Sequence, residues 1–182
     1  MMAVISTWIT ALSTFSSTRE KILEHRFIAE ITSELWRRAQ FDFAVSHSEV
    51  DNSGYDLIVE VGRVTRHIQL KAMQSAGKRR DFDLQIRLAE KASGCAILML
   101  HDPVSLAIKG YRLFAGEPGA PLPHLGDKAV RHSKGDAHGV KAERSALRNV
   151  PITTFVAVHG IRELVDRLFG AHDSLGGESN AV

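Results

Sequence analysis

The stretch that decides the fold is residues 48–71, SEVDNSGYDLIVEVGRVTRHIQLK. Residues 55–61 and 64–70 each alternate apolar and polar side chains and are rich in β-branched residues, the pattern of two strands. Gly62 and Arg63 between them fit a two-residue hairpin turn with glycine at its first central position. Closing the hairpin there sets Val61 opposite Val64, and counting back in that register sets Asp56 opposite Gln69. Cross-strand partners share a face, with Cβ atoms about 4.5–5.5 Å apart. Lys71, two residues beyond Gln69, points to that same face because strand side chains alternate. A carboxylate, an amide and an ammonium thus converge on one patch, where a strand would ordinarily bury apolar groups.

Around this hairpin lies a chain of one-domain length. Its 182 residues are 44% hydrophobic and 24% charged, as in soluble globular proteins with a single core. Residues 1–170 are expected to form one domain with its core at about 19–100, and 171–182 a disordered tail. No apolar run approaches the roughly 20 residues that span a bilayer, so no membrane partner is expected. The N-terminal MMAVISTWITALSTFSS lacks the early positive charge and cleavage site of a secretory signal and reads as a short helix or arm. The single Cys95, in the run CAILML, excludes an intrachain disulfide framework, and a cytoplasmic location is the default. A net charge of +2 neither proves nor excludes a nucleic-acid partner.

Upstream, residues 19–39 have helical spacing, with Ile22, Leu23, Phe27, Ile28, Ile31 and Leu35 forming an apolar stripe. Glu20 and Glu24 are four apart on this helix, as are Glu30 and Glu34, and their ordinary reading is solvated helix charge. Residues 41–46 read as a short strand. Downstream of the hairpin, residues 72–81 read as a loop carrying Lys78, Arg79 and Arg80, followed by a helix at about 82–92 that Ser93 and Gly94 stop. Residues 95–100 form a continuous apolar run typical of a strand buried on both faces. Residues 111–115 read as another strand before the Gly/Pro-rich GEPGAPLPHLG loop. Residues 128–148 are the most basic part of the chain, read as a loop before a helical turn. Residues 152–158 would be a last strand, and 161–169 an amphipathic helix ended by Gly170. Mixed strands with flanking helices indicate a three-layer α/β domain around one central sheet.

Asp56, the Gln69-x-Lys71 spacing and the Glu-bearing helix upstream resemble the PD-(D/E)XK, or restriction-endonuclease-like, nuclease superfamily. The matching pieces are GYDLIVE, HIQLK and EHRFIAE. The helix–strand–hairpin–helix–strand order of residues 19–100 is similar to that family's core, and the small archaeal Holliday-junction resolvases share the compact arrangement. More broadly, the chain is similar to a group of uncharacterised bacterial proteins. Two departures stand out: Tyr55 precedes Asp56 where proline is common, and Gln69 replaces the usual acidic residue. The loss of one anionic ligand weakens a Mg²⁺ site, which Glu49, Asp51 or a helix Glu would offset.

The resemblance implies a metal-dependent nuclease using Mg²⁺ or Mn²⁺. Asp56, the Gln69 side-chain oxygen, the Leu70 carbonyl and Glu49 are its implied metal ligands, and Glu24 or Glu30 its helix carboxylate. Six residues turn a helix through about 600°, so Glu24 and Glu30 do not share a face. Lys71 would position the attacking water. Lys78, Arg79, Arg80, His132, Lys134, Lys141 and Arg144 would contact backbone phosphates, of DNA in the first instance. The alternative function is a non-cleaving member of the fold that binds nucleic acid or a protein partner. Oligomeric state is left open, a homodimer included. Other signals are weaker. His132 and His138 lack partner Cys for a zinc site. Cys95 reads as packing rather than a nucleophile, His67 as a surface or core-edge residue, and Trp36, beside Leu35, as core.

Overall fold

The computed structural model describes residues 2–48, 53–131 and 143–171. Two helices open the chain: α1 (Met2–Thr14) and α2 (Ser16–Arg37). The strand β1 (Phe43–His47) follows, and then the hairpin of β2 (Leu57–Val61) and β3 (Val64–Gln74). The hairpin has the expected register, Val61 opposite Val64 and Leu57 opposite Ile68. Gly62 takes φ +55° in the turn, a left-handed conformation that glycine adopts without steric cost.

Beyond the hairpin the structure departs from the sequence reading. The loop expected from residue 72 starts later, because β3 runs on to Gln74. The helix expected at 82–92 is mostly a strand, β4 (Asp81–Gln85), with only the short α3 (Ile86–Ala89) behind it. Phe82 and Leu84 are buried while Asp81, Asp83 and Gln85 are not, a period of two that overrides the helical spacing also present. The apolar run is β5 (Gly94–His101), followed by β6 (Ile108–Ala115). The basic region holds β7 (Ala129–Arg131) and β8 (Glu143–Pro151) where a helical turn was expected. A 3-10 turn (Ile152–Thr154) precedes a short β9 (Val156–Val158), and α4 (Ile161–Phe169) closes the described chain, ending at Gly170 as expected.

The central sheet is mixed, in the order β1-β2-β3-β5-β6-β9, with β3 and β5 parallel and the other pairs antiparallel. This is the mixed α/β class with a central mixed sheet that the sequence implies. Its two faces meet different layers. Cys95, Ile97 and Met99 of β5 pack with Leu23, Phe27, Ile31 and Leu35 of α2 and Leu164, Val165 and Leu168 of α4. Ala96 and Leu98, on the opposite face, pack with Phe82, Leu84, Val150 and Phe155. The third layer is therefore largely a second sheet, in the order β4-β8-β7, rather than helices. Among the described residues no helix is long and apolar enough to cross a membrane.

Candidate active site

Unequal strand lengths create the site. β2 pairs with β3 only as far as Leu57 opposite Ile68, whereas β3 continues beside β5 to Gln74 opposite His101. One edge of β3 is thus uncovered by β2 from Gln69 onward, and buried backbone donors there need other partners. Asp56 supplies one: its own N–H donates to the Ile68 carbonyl at 2.8 Å, and its Oδ2 accepts the Leu70 N–H at 2.6 Å. The carboxylate stands where the next residue of a longer β2 would have been. The chain reaches it through Gly54, buried with φ +82°, where a Cβ would fall 2.9 Å from the Leu88 backbone nitrogen.

The open edge faces a polar cavity of about 630 Å³ lined by Asp56, Gln69, Leu70 and Lys71 from the hairpin. Glu20 and Glu24 line it from α2, Arg79 from the loop after β3, and Phe82 and Gln85 from β4. Asp56, Gln69, Leu70, Lys71, Glu24 and Arg79, all candidates from the sequence, therefore line one cavity. Glu30 does not. Six residues farther along α2, its carboxylate accepts the Tyr111 hydroxyl at 2.6 Å, and burial together with that bond pushes the phenol well above its usual pKa.

Several cavity groups have a defined hydrogen-bond or ionic partner. Glu24, nearly buried, pairs with Lys21 at 2.9 Å and lies 3.3 Å from His47 Nδ1. Gln69 is 6% exposed, and its Oε1 accepts the Gln85 N–H at 3.2 Å. A backbone N–H only donates, so this partner settles which end of the amide is which. Turning the amide over would leave the Gln85 donor unsatisfied, at about 1–3 kcal/mol. Burial lowers the Lys71 pKa, with Asp56 and then Asp83 acting to raise it. Arg79 lies over the Phe82 ring at 4.7 Å and donates to the Asp81 carbonyl at 2.7 Å, which folds it onto the cavity wall.

The remaining nucleic-acid candidates are placed differently. Lys78 and Arg80 flank Arg79 in the same exposed loop but do not line the cavity. Arg144 lies exposed on β8, opposite Val130, and does not line the cavity. Glu49, Asp51, His132, Lys134, His138 and Lys141 fall outside the described residues. The sequence reading missed Gln85, because its segment was read as a helix, and singled out Glu20 only for its spacing to Glu24. It also placed Trp36 in the core, whereas Trp36 is 68% exposed and packs edge-on against Phe41. Cys95 is buried packing, its thiol pushed up to about 12 by burial. His67 bonds to the Ala92 carbonyl and meets Tyr55 edge-on, a structural position.

Mg²⁺ binds through one or two carboxylates and keeps several waters. The hard oxygens of Asp56 and Glu24, with the Leu70 carbonyl, suit such an ion. Among the described residues no three His, Cys, Asp or Glu side chains stand close enough to hold a metal ion by themselves.

No protein-family model matches the chain, and no curated protein matches it at a significant level. Among solved structures it is similar to a Holliday junction resolvase from the archaeal hyperthermophile Archaeoglobus fulgidus. That likeness has 18% identity and a TM-score of 0.32, over 77% of this chain and 98% of that one. It is also similar to the bacterial homing endonuclease I-Ssp6803I, at 17% identity and a TM-score of 0.27, over 60% and 79%. Superpositions this loose do not carry a function across.

Proposed function

We propose that the chain is a divalent-metal-dependent nuclease that hydrolyses nucleic-acid phosphodiester bonds, of DNA first, in the cavity at the open edge of β3. One observation carries this reading: Asp56, Leu70 and Lys71 share a single polar cavity with Glu24 of α2. Asp56, Glu24 and the Leu70 carbonyl would hold Mg²⁺ or Mn²⁺. The bound ion supplies polarisation of the phosphodiester and a lower pKa for water. The chain's own residues do the rest. Lys71 orients the attacking water and offsets the negative charge that builds on the phosphoryl oxygens. Arg79 at the wall, with Lys78 and Arg80 beside it, meets backbone phosphates without reading sequence. Arg144, exposed on β8, is a candidate contact for a longer substrate, and His132, Lys134 and Lys141 are candidates from the sequence alone.

The test is cleavage of supercoiled plasmid, single-stranded DNA and a branched junction in Mg²⁺ and in Mn²⁺, with Asp56→Asn beside the wild type. Cleavage of any one by wild type alone supports the reading and names the substrate. Equal cleavage by both proteins contradicts it. A second reading, a nucleic-acid-binding protein that does not cleave, is favoured by the bond that engages the Gln69 oxygen. It predicts DNA binding with a steep salt dependence and no turnover in either metal.

A further inference from the structure

Gln69 occupies the position at which an acidic metal ligand is expected, yet its metal-capable atom is already in use. Oε1 accepts the Gln85 N–H at 3.2 Å, and Gln85 is the last residue of β4 in the neighbouring sheet. The opposite end of the amide, Nε2, has no partner among the described residues, although Gln69 is 94% buried and forms part of the cavity wall. Two residues on, the Lys71 ammonium also lines the cavity and forms no ion pair among the described residues. Two donors thus share one face of β3 in a largely buried setting. Neither can ligate a cation in that state, and both can donate to an anion.

We infer that Gln69 is a phosphate-binding residue whose Nε2 donates to a non-bridging oxygen of the nucleic-acid backbone, beside Lys71, and not a metal ligand. The inference rests on the nuclease reading of the cavity for its choice of anion, a phosphodiester. It changes what the replacement of an acid by an amide means. An acid at this position would place a negative oxygen against the phosphate, whereas the amide holds β4 with one end and receives substrate with the other. The cavity would then engage nucleic acid before any metal arrives, with Gln69 and Lys71 supplying the contacts.

The experiment is equilibrium binding of a short labelled DNA duplex and the corresponding single strand in EDTA, across a salt series. The proteins are wild type, Gln69→Met, Gln69→Glu and Lys71→Met. Thermal unfolding of each variant establishes that it is folded. Gln69→Met removes the donor without adding charge, and its affinity is expected to fall about ten-fold, the usual loss for a hydrogen bond to a charged group. Its salt slope should match that of wild type, because no counterion-releasing charge is lost, whereas Lys71→Met should lower the slope by about one. Gln69→Glu keeps an oxygen for the Gln85 N–H and is expected to bind more weakly than Gln69→Met. Wild-type affinity in folded Gln69→Met overturns the inference, and so does a wild type that binds DNA only when metal is added. Failure of the nuclease reading appears separately, as absence of cleavage with the EDTA binding pattern intact.

Discussion

Burial lowers the pKa of Lys71, and Asp56, the largest opposing influence, does not restore it. A lysine whose folded pKa is depressed costs stability while it is charged, and that cost disappears as pH rises past its ordinary value of 10.5. Lys71→Met is therefore expected to raise unfolding free energy at neutral pH by about 0.5–2 kcal/mol, as when a functional residue is replaced by a packed one. The gain should shrink toward pH 10.5. Denaturant titrations at the two pH values read both the sign and the trend, and a Lys71→Met protein less stable than wild type at neutral pH counts against a strained functional lysine. At this scale much of the site was legible in the sequence. The turn at Gly62 and the period of two fix Asp56, Gln69 and Lys71 on one face without knowledge of the remaining fold. The choice between Glu24 and Glu30 was not legible. Both flank the buried stripe of α2, about 9 Å apart along the axis and about 240° apart around it, and which of the two directions meets β3 rather than β6 depends on tertiary packing.

Among the elements, α2 and α4 are joined by charge as well as by core contacts. Glu34 binds both Arg37 and Arg38 at 2.7 Å, and Arg38 continues to Asp166 of α4. The hydrogen bond from Arg37, with Arg38 adding to it, holds the Glu34 carboxyl at about 2. Its contribution to stability is present above the ordinary carboxylate value of 4.5 and is lost as pH falls from there toward 2. Glu34→Gln is expected to cost on the order of 1–3 kcal/mol at neutral pH, and less at pH 3. A cost that does not change between the two would exclude the ionised pair as its source. The strand β4 is the element that the sequence concealed. Residues 81–85 alternate over only five positions, and the apolar residues that follow continue at a spacing that also fits a helix. Only pairing with β8, distant in sequence, decides between the two. Phe82 is buried against Phe155 and belongs to the layer between the sheets. Phe82→Ala should therefore cost about 3–5 kcal/mol. A loss under about 1 kcal/mol, measured by equilibrium unfolding, would be inconsistent with a packed third layer.

On the scale of the whole molecule, the cavity is a product of topology. A parallel β3–β5 pair longer than the β2–β3 pair exposes a strand edge, α2 closes one side of it, and β4 closes the other. The central sheet could be anticipated from the order of the elements. The second sheet could not, because its three strands lie far apart in the sequence, at 81–85, 129–131 and 143–151, and two of them carry basic residues more typical of loops. The basic loop at residues 78–80 lies beside the cavity, so replacing Lys78, Arg79 and Arg80 together by alanine should weaken DNA binding. The salt slope is expected to fall by up to about three. An unchanged slope would place the DNA elsewhere.

The central claim is that Asp56, Lys71 and Glu24 act together in one cavity while Glu30 belongs to the scaffold. It is tested most directly by initial rates of DNA cleavage in Mg²⁺ for wild type, Glu24→Gln, Glu30→Gln and Lys71→Met, each shown to be folded. The account predicts rates reduced at least about 100-fold in Glu24→Gln and Lys71→Met, the scale on which electrostatic and metal-ligand groups act. Glu30→Gln, which can still accept the Tyr111 hydroxyl, should cleave within a few-fold of wild type. A dead Glu30→Gln beside a fully active Glu24→Gln would contradict the account.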